Sequence, residues 1–114
     1  MQHEKWSKTE KAVAKRAFEA ALHNEYEALA GKIKEMASHV KEPQDIWSIH
    51  DFLTEKRKEI GRKYDYRYSR LILVFALLIK EGWMEEADLR GLREDKVEKI
   101  KSLASGLAYN PDDD

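Results

Sequence analysis

Cysteine is absent from the chain, which removes disulfides, thiolate zinc sites and thiol nucleophiles together and suits a reducing compartment. Proline and glycine are scarce, 2 and 5 in 114 residues, so breaks are few and long periodic stretches dominate. Neither charge sign prevails. The 21 basic and 22 acidic residues leave a net charge of −1, which argues against a chain that binds polyanions along its whole length. No long apolar run exists either. The longest, Leu71 to Ile79 (LILVFALLI), covers about 14 Å as a helix, against roughly 30 Å for the hydrocarbon layer of a bilayer. It reads as a buried core helix. The first residues, MQHEKWSKTEK, lack the apolar core of a signal peptide. Together these absences predict a cytoplasmic protein with no membrane insertion.

What is present is charge, 38% of residues, and helical spacing. Ser7 and Glu10 stand at capping-box separation, so a helix starts there and runs to about Val40. Leu22, Tyr26, Leu29, Ile33, Met36 and Val40 follow one another at intervals of four and three, an a/d seam with Phe18 one turn before it. Gly31 interrupts the seam at a cost of about 1 kcal/mol relative to alanine. Pro43 breaks the chain, Asp45 is placed to cap a second helix, and Gly61 to end it. A third helix is predicted from near Asp65 to Gly82, a turn with a short helix from Trp83 to Leu92, and a last helix over about Glu94 to Leu107.

The predicted architecture is therefore all-α, a single domain over residues 1–114. Long antiparallel-type helices over about 7–62 form a coiled-coil-like stalk, about 63–107 a small helical head, and 108–114 a disordered tail. A chain of this length buries about two-thirds of its unfolded surface, which is little for long thin helices. A second copy sharing the stalk is the natural remedy, with Leu29, Ile33, Met36 and Ile46 as the dimer seam.

Chemistry-bearing patterns are thin. His23 with Glu27, and Glu35 with His39, have i,i+4 spacing, but a metal site needs three or four converging ligands and these pairs are isolated. No phosphate loop, nucleophile elbow or HExxH is found, and the many carboxylates have lysines or arginines nearby, which reads as solvated ion pairing. No enzyme, metal or cofactor is predicted. The stretch Lys56 to Arg70 carries seven basic residues interleaved with Tyr64, Tyr66 and Tyr68, a combination able to contact phosphates and stack on bases. The competing reading is a helix corner whose tyrosines pack inward. The balanced net charge favours the corner, and nucleic acid is not the predicted partner.

The segment Asp45 to Arg57 stands out. Ile46, Ile49, Leu53 and Ile60 form one helical stripe, and Trp47, His50, Asp51, Thr54 and Arg57 a neighbouring arc about 120° wide. Trp and Arg are enriched at interface hot spots. Asp51 and Arg57, six positions apart, point about 120° away from each other, so neither satisfies the other within one helix. Partners for them come from another helix or another chain.

At these residues a resemblance appears. The run Trp47-Ser-Ile-His50-Asp51-Phe52-Leu53-Thr-Glu-Lys56-Arg57, then Glu59-Ile60, Lys63 to Arg67 and Val74 to Ala76, resembles the fluorescence recovery protein family of cyanobacteria. The likeness continues through Gly82-Trp83, Leu89, Gly91-Leu92, Lys96 and Ile100, so it covers residues 45 to 103 at consistent spacing. The resemblance implies an all-α homodimer whose long helices pair. It implies a pigment-free regulator that binds the photoactivated orange carotenoid protein through that protein's C-terminal domain. Such a regulator speeds the return to the orange form and ends phycobilisome quenching near the thylakoid. By position, Trp47, His50, Asp51 and Arg57 match the family's functional patch, and Lys99 a basic head residue. Leu73 stands where a phenylalanine is expected in the head contact, with Phe75 nearby. Relatives in bacteria without the carotenoid protein have an unknown partner, the alternative function for this chain.

Overall fold

The structure, a computed structural model, describes residues 5–108. The chain is all-helical, as predicted: α1 spans Lys8–Ser38, α2 Pro43–Lys63, α3 Leu71–Glu81 and α4 Glu94–Ala108, with a 3-10 turn at Glu86–Leu89. The expected tail lies almost wholly outside the described residues. Helix α1 begins where the capping box puts it. The Glu10 N–H donates to Ser7 Oγ at 3.1 Å, and the Ser7 N–H donates to Glu10 Oε1 at 3.0 Å.

Three predicted boundaries are corrected. Asp45 is not the N-cap of α2. Glu42 is, and Pro43 opens the helix at the position where a missing N–H is harmless. Asp45 reaches back instead, accepting the N–H groups of Lys41 at 2.9 Å and Glu42 at 3.0 Å, and these bonds hold its carboxyl below the usual carboxylate range. Gly61 does not end α2, which continues through it to Lys63. A lone glycine tolerates the helical conformation, and here the helix ends where Tyr64 is tied to α1 instead. The third helix begins at Leu71, not near Asp65. The Asp65 carboxylate accepts the Arg67 backbone N–H at 3.2 Å and its guanidinium at 2.6 Å, a local arrangement that competes with the helix. Gly82 closes α3 with φ 87°, the left-handed conformation that glycine adopts freely at a helix end.

The apolar run of α3 is core, as read from the sequence: Leu71, Val74, Phe75, Ala76 and Leu78 are buried. They pack with Ile100 and Ala104 of α4, with Met84, Leu89 and Leu92, and with Trp6. The head is not confined to residues 63–107, however. Val13, Ala14, Ala17 and Ala21 on the first half of α1 lie in the same core. The three alanines make a smooth face on which other backbone comes close, and close packing is what a small core needs. Gly91 comes close beside them, at Val13. At φ 108° it sits where a Cβ would lie 2.7 Å from Val13 Cγ2.

Past Ala21, α2 turns back along the second half of α1 as an antiparallel hairpin. Met36 and Ile49 line one groove between the two helices, and Leu29, Phe52 and Ile60 another. Here burial is shallow. Leu22, Leu29, Ile33, Met36, Ile49 and Leu53 are half-buried, and Tyr26, Ile46 and Trp47 are 51%, 52% and 63% exposed. The radius of gyration, 17.0 Å, exceeds the roughly 13 Å of a compact chain this long, as a hairpin projecting from a head requires.

Candidate functional site

Helix α2 carries the predicted strip on its open face. Trp47, His50, Asp51 and Arg57 are all exposed. Trp47 and His50 meet edge to face at 6.2 Å between ring centres, one helical turn apart. His50 Nδ1 lies 3.4 Å from Asp51 Oδ1, a long contact between exposed groups and worth little. The Thr54 hydroxyl donates to the His50 carbonyl at 3.0 Å and so turns its polar end away from the strip. The Arg57 guanidinium has no hydrogen bond or ion pair among the described residues. Rise along the helix puts it about 9 Å beyond Asp51, consistent with the angular argument from the sequence. Neither Trp47 nor Arg57 is sealed inside the subunit. What the arrangement offers chemically is a large aromatic surface and an unmatched guanidinium on one rigid helix, suited to recognition.

The head candidates divide. Lys99 is exposed on α4 and Leu73 is half-buried on α3. Phe75 has no exposed surface, so it supports the core and cannot form a contact face, a correction to its predicted role. The corner from Lys56 to Arg70 resolves as inward-packed tyrosines. Phe18 meets Tyr64 at 5.4 Å and Tyr66 at 4.7 Å, and Tyr68 lies between Tyr66 and Trp6 at 5.6 Å and 5.8 Å. The rings that would stack on bases are thus occupied. Burial raises the Tyr66 hydroxyl, helped by its Tyr68 neighbour, to about 12.

Two buried ionic clusters went unread in the sequence, where the carboxylates looked solvated. In the first, Lys96, 1% exposed, places its ammonium 3.1 Å from Glu10 Oε1, donates to the Lys5 carbonyl and lies 5.1 Å from the Trp6 ring centre. Glu10 also accepts the Arg93 N–H at 2.8 Å. Burial alone would raise the Glu10 pKa. The N–H groups of Arg93 and Ser7, with the Lys96 ammonium, outweigh it and bring the value down to about 2. In the second, Lys63 bridges Glu25 of α1, at 2.9 Å, and Glu81 at the end of α3. The Tyr64 hydroxyl donates to Glu25 at 2.8 Å and the Trp83 indole N–H to Glu81 at 3.1 Å. Burial opposes the charge on Lys63, but its two carboxylates win and its pKa is raised; burial and then Glu25 push the Tyr64 hydroxyl up. This knot joins the stalk to the head. The one sequence signal for either cluster was Glu10's place in the capping box.

Among the described residues no group of three or more His, Cys, Asp or Glu side chains converges as a metal site requires. His23 and Glu27 do meet, at 3.2 Å, as an exposed pair. Among the described residues no helix is long and apolar enough to cross a membrane.

Comparison with known proteins gives a consistent answer. The family model described as "Photoprotection regulator fluorescence recovery protein" matches residues 6–104. The fluorescence recovery protein of Synechocystis sp. is 42% identical over 99 residues, covering 87% of this chain and 91% of that protein. The solved structure of the Fremyella diplosiphon fluorescence recovery protein superimposes with a TM-score of 0.84 at 46% identity, covering 89% of this chain and 99% of that one. The Synechocystis structure does so with a TM-score of 0.84 at 42% identity and the same coverage.

Proposed function

The chain belongs to the fluorescence recovery protein family of photoprotection regulators, and from that premise we propose that it is a non-enzymatic homodimer that binds the photoactivated orange carotenoid protein and accelerates its return to the orange form. It contacts the C-terminal domain of that protein and so ends quenching at the phycobilisome. The observation that carries this reading is the α2 strip, which holds a tryptophan 63% exposed and, further along the same helix, an exposed arginine whose guanidinium makes no ion pair among the described residues. An exposed aromatic of that size and an unmatched guanidinium are what a recognition surface displays before its partner arrives.

Dimerisation follows from the same helix pair. The half-buried seam of Leu29, Ile33 and Met36, with exposed Ile46, gains full cover when a second stalk lies against it. Asp51 of one protomer then pairs with Arg57 of the other, which meets the angular mismatch within each chain. The head contact comprises Leu73 and Lys99. Leucine in place of an aromatic makes that contact weaker than the α2 strip.

The mechanism is differential binding. If the protein binds the closing form of its partner more tightly than the open form, it shifts the population and lowers the recovery barrier, to an extent limited by that difference in affinity. The test is the dark decay of the red state at several concentrations of this protein. The rate is expected to rise with concentration and to fall back when Trp47→Ala is used. An unchanged rate with the wild-type chain overturns the assignment and leaves a different protein as partner.

A further inference from the structure

Away from the α2 strip, the head carries a shallow groove of about 290 Å³ between α1 and the 3-10 turn, lined by Arg16, Ala17 and Ala20 on one side and Ala87, Asp88 and Arg90 on the other. We propose that this groove receives the carboxylate side chains of an acidic segment of a protein partner.

Three observations carry the proposal. First, the guanidinium groups of Arg16 and Arg90 have no hydrogen bond or ion pair among the described residues. Other arginines of the same region do. Arg67 and Arg70 lie 2.6 Å and 3.9 Å from Asp65, and Arg93 lies 3.3 Å from Asp95. The groove's own carboxylate, Asp88, is engaged in accepting the Glu85 N–H at 2.9 Å, where it caps the turn. Two guanidinium groups therefore stand against one carboxylate, one of whose oxygens is already bonded, and the groove's lining keeps a net positive charge. Second, the two arginines are held by backbone that does not yield. Leu89, 1% exposed, anchors the turn in the core, and Gly91 packs directly on Val13 one helical turn before Arg16. That fixes the strand of backbone bearing Arg90 against the helix bearing Arg16. Third, the floor is alanine. A guanidinium fork binds a carboxylate through two parallel hydrogen bonds, and an apolar floor beneath it suits the methylenes of a glutamate side chain. A free inorganic anion would leave that floor unused.

The groove does not depend on the identity of the partner proposed above, because it is tested on this chain alone. The probe is a fluorescein-labelled hexaglutamate peptide, titrated at low salt and followed by anisotropy and by the NMR signals of the arginine side chains and of the Ala17, Ala20 and Ala87 amides. Binding is expected to shift those signals and to weaken about threefold in Arg16→Gln or Arg90→Gln and about tenfold in the double variant, since the two charges act on one ligand within a Debye length. Lys15→Gln, an exposed neighbour outside the groove, leaves it within about twofold, as a screened surface charge should. Lysine at both arginine positions keeps the charge but loses the fork, so affinity drops several-fold. Circular dichroism confirms that each variant is folded. The proposal is overturned if the three alanine amides do not move, if the double lysine variant binds like wild type, or if inorganic phosphate binds as tightly as the peptide.

Discussion

Replacing Glu10 by glutamine isolates the energetics of the buried Lys96 pair. In the native chain Glu10 accepts from Ser7, Arg93 and Lys96, and is 3% exposed. Glutamine keeps the shape but removes the charge. Lys96, 1% exposed, then keeps the Lys5 carbonyl, the Trp6 ring and at most one neutral amide oxygen, with no opposite charge to answer its own. Breaking a buried pair by deleting one partner costs about 3–5 kcal/mol. We expect a loss of about 3 kcal/mol, roughly a 10 °C fall in Tm for a chain of this size, because Lys96 recovers part of the loss by shedding its proton. The companion Glu10→Gln, Lys96→Met variant buries an apolar chain where the ammonium was and returns to within about 1 kcal/mol of wild type. The assay is urea unfolding followed by circular dichroism at fixed protein concentration, which holds any dimer contribution constant. Acid provides a second reading. The folded-state pKa of Glu10, about 2, lies below its ordinary 4.5, so its contribution is complete above pH 4.5 and disappears as pH falls toward 2. Glu10→Gln should lose that part of the acid limb. A single variant within about 1 kcal/mol of wild type, or an unchanged acid limb, refutes the reasoning.

Other perturbations give separate outcomes. Ile33→Glu puts a charge on the half-buried stalk seam, so size-exclusion with light scattering should show a weakened dimer with the head intact; a monomeric wild type would mean the seam is internal to one chain. Arg57→Leu should reduce partner binding or dimerisation while leaving Tm within about 1 kcal/mol equivalent, since the residue is exposed and unpaired among the described residues; full activity with an unchanged oligomeric state removes it from the site. Gly91→Ala should cost at least about 2 kcal/mol in thermal unfolding, because the positive φ and the Val13 contact add their penalties. A near-neutral Gly91→Ala would mean that the turn shifts freely away from α1.

Helix count, the buried α3 run, the capping box at Ser7 and the exposed α2 strip were legible because each is a local pattern. Periodicity reports a face, and a hydroxyl three residues before a carboxylate reports a cap. The boundaries that slipped depend on tertiary events. Asp65 turns the chain through its own side chain, and α2 passes Gly61 to where Lys63 and Tyr64 fasten onto Glu25, 38 and 39 residues away. The buried ions were illegible for the same reason. Glu10 and Lys96 are 86 positions apart; the capping box marks Glu10 as a helix start but not as buried, and nothing on its helix distinguishes Lys96 from the solvated lysines around it. Phe75 was misplaced by a related ambiguity: α3 is apolar nearly all round, so its sequence does not tell which residues face outward. The strip on α2 was easier because its polar and apolar residues segregate.

The head and the stalk differ in how they meet the cost of ordering the chain. The head surrounds its apolar groups from several directions, with α1, α3, α4 and the 3-10 turn closing on Phe75 and Leu78, and it pins its edges with buried ions at Lys96 and Lys63. The hairpin has one internal seam. Two helices side by side cover only the faces they turn to each other, which is why Leu29, Ile33 and Met36 stop at half-burial and Ile46 and Trp47 remain open. Adding apolar residues to either helix would enlarge the exposed face as much as the covered one. Only a further layer from another polypeptide changes that ratio, whether a second stalk or a partner's surface. The same incomplete burial that leaves the hairpin's apolar face open also keeps Trp47 and Arg57 within reach of a neighbour, while the Lys63 knot ties the stalk to the head.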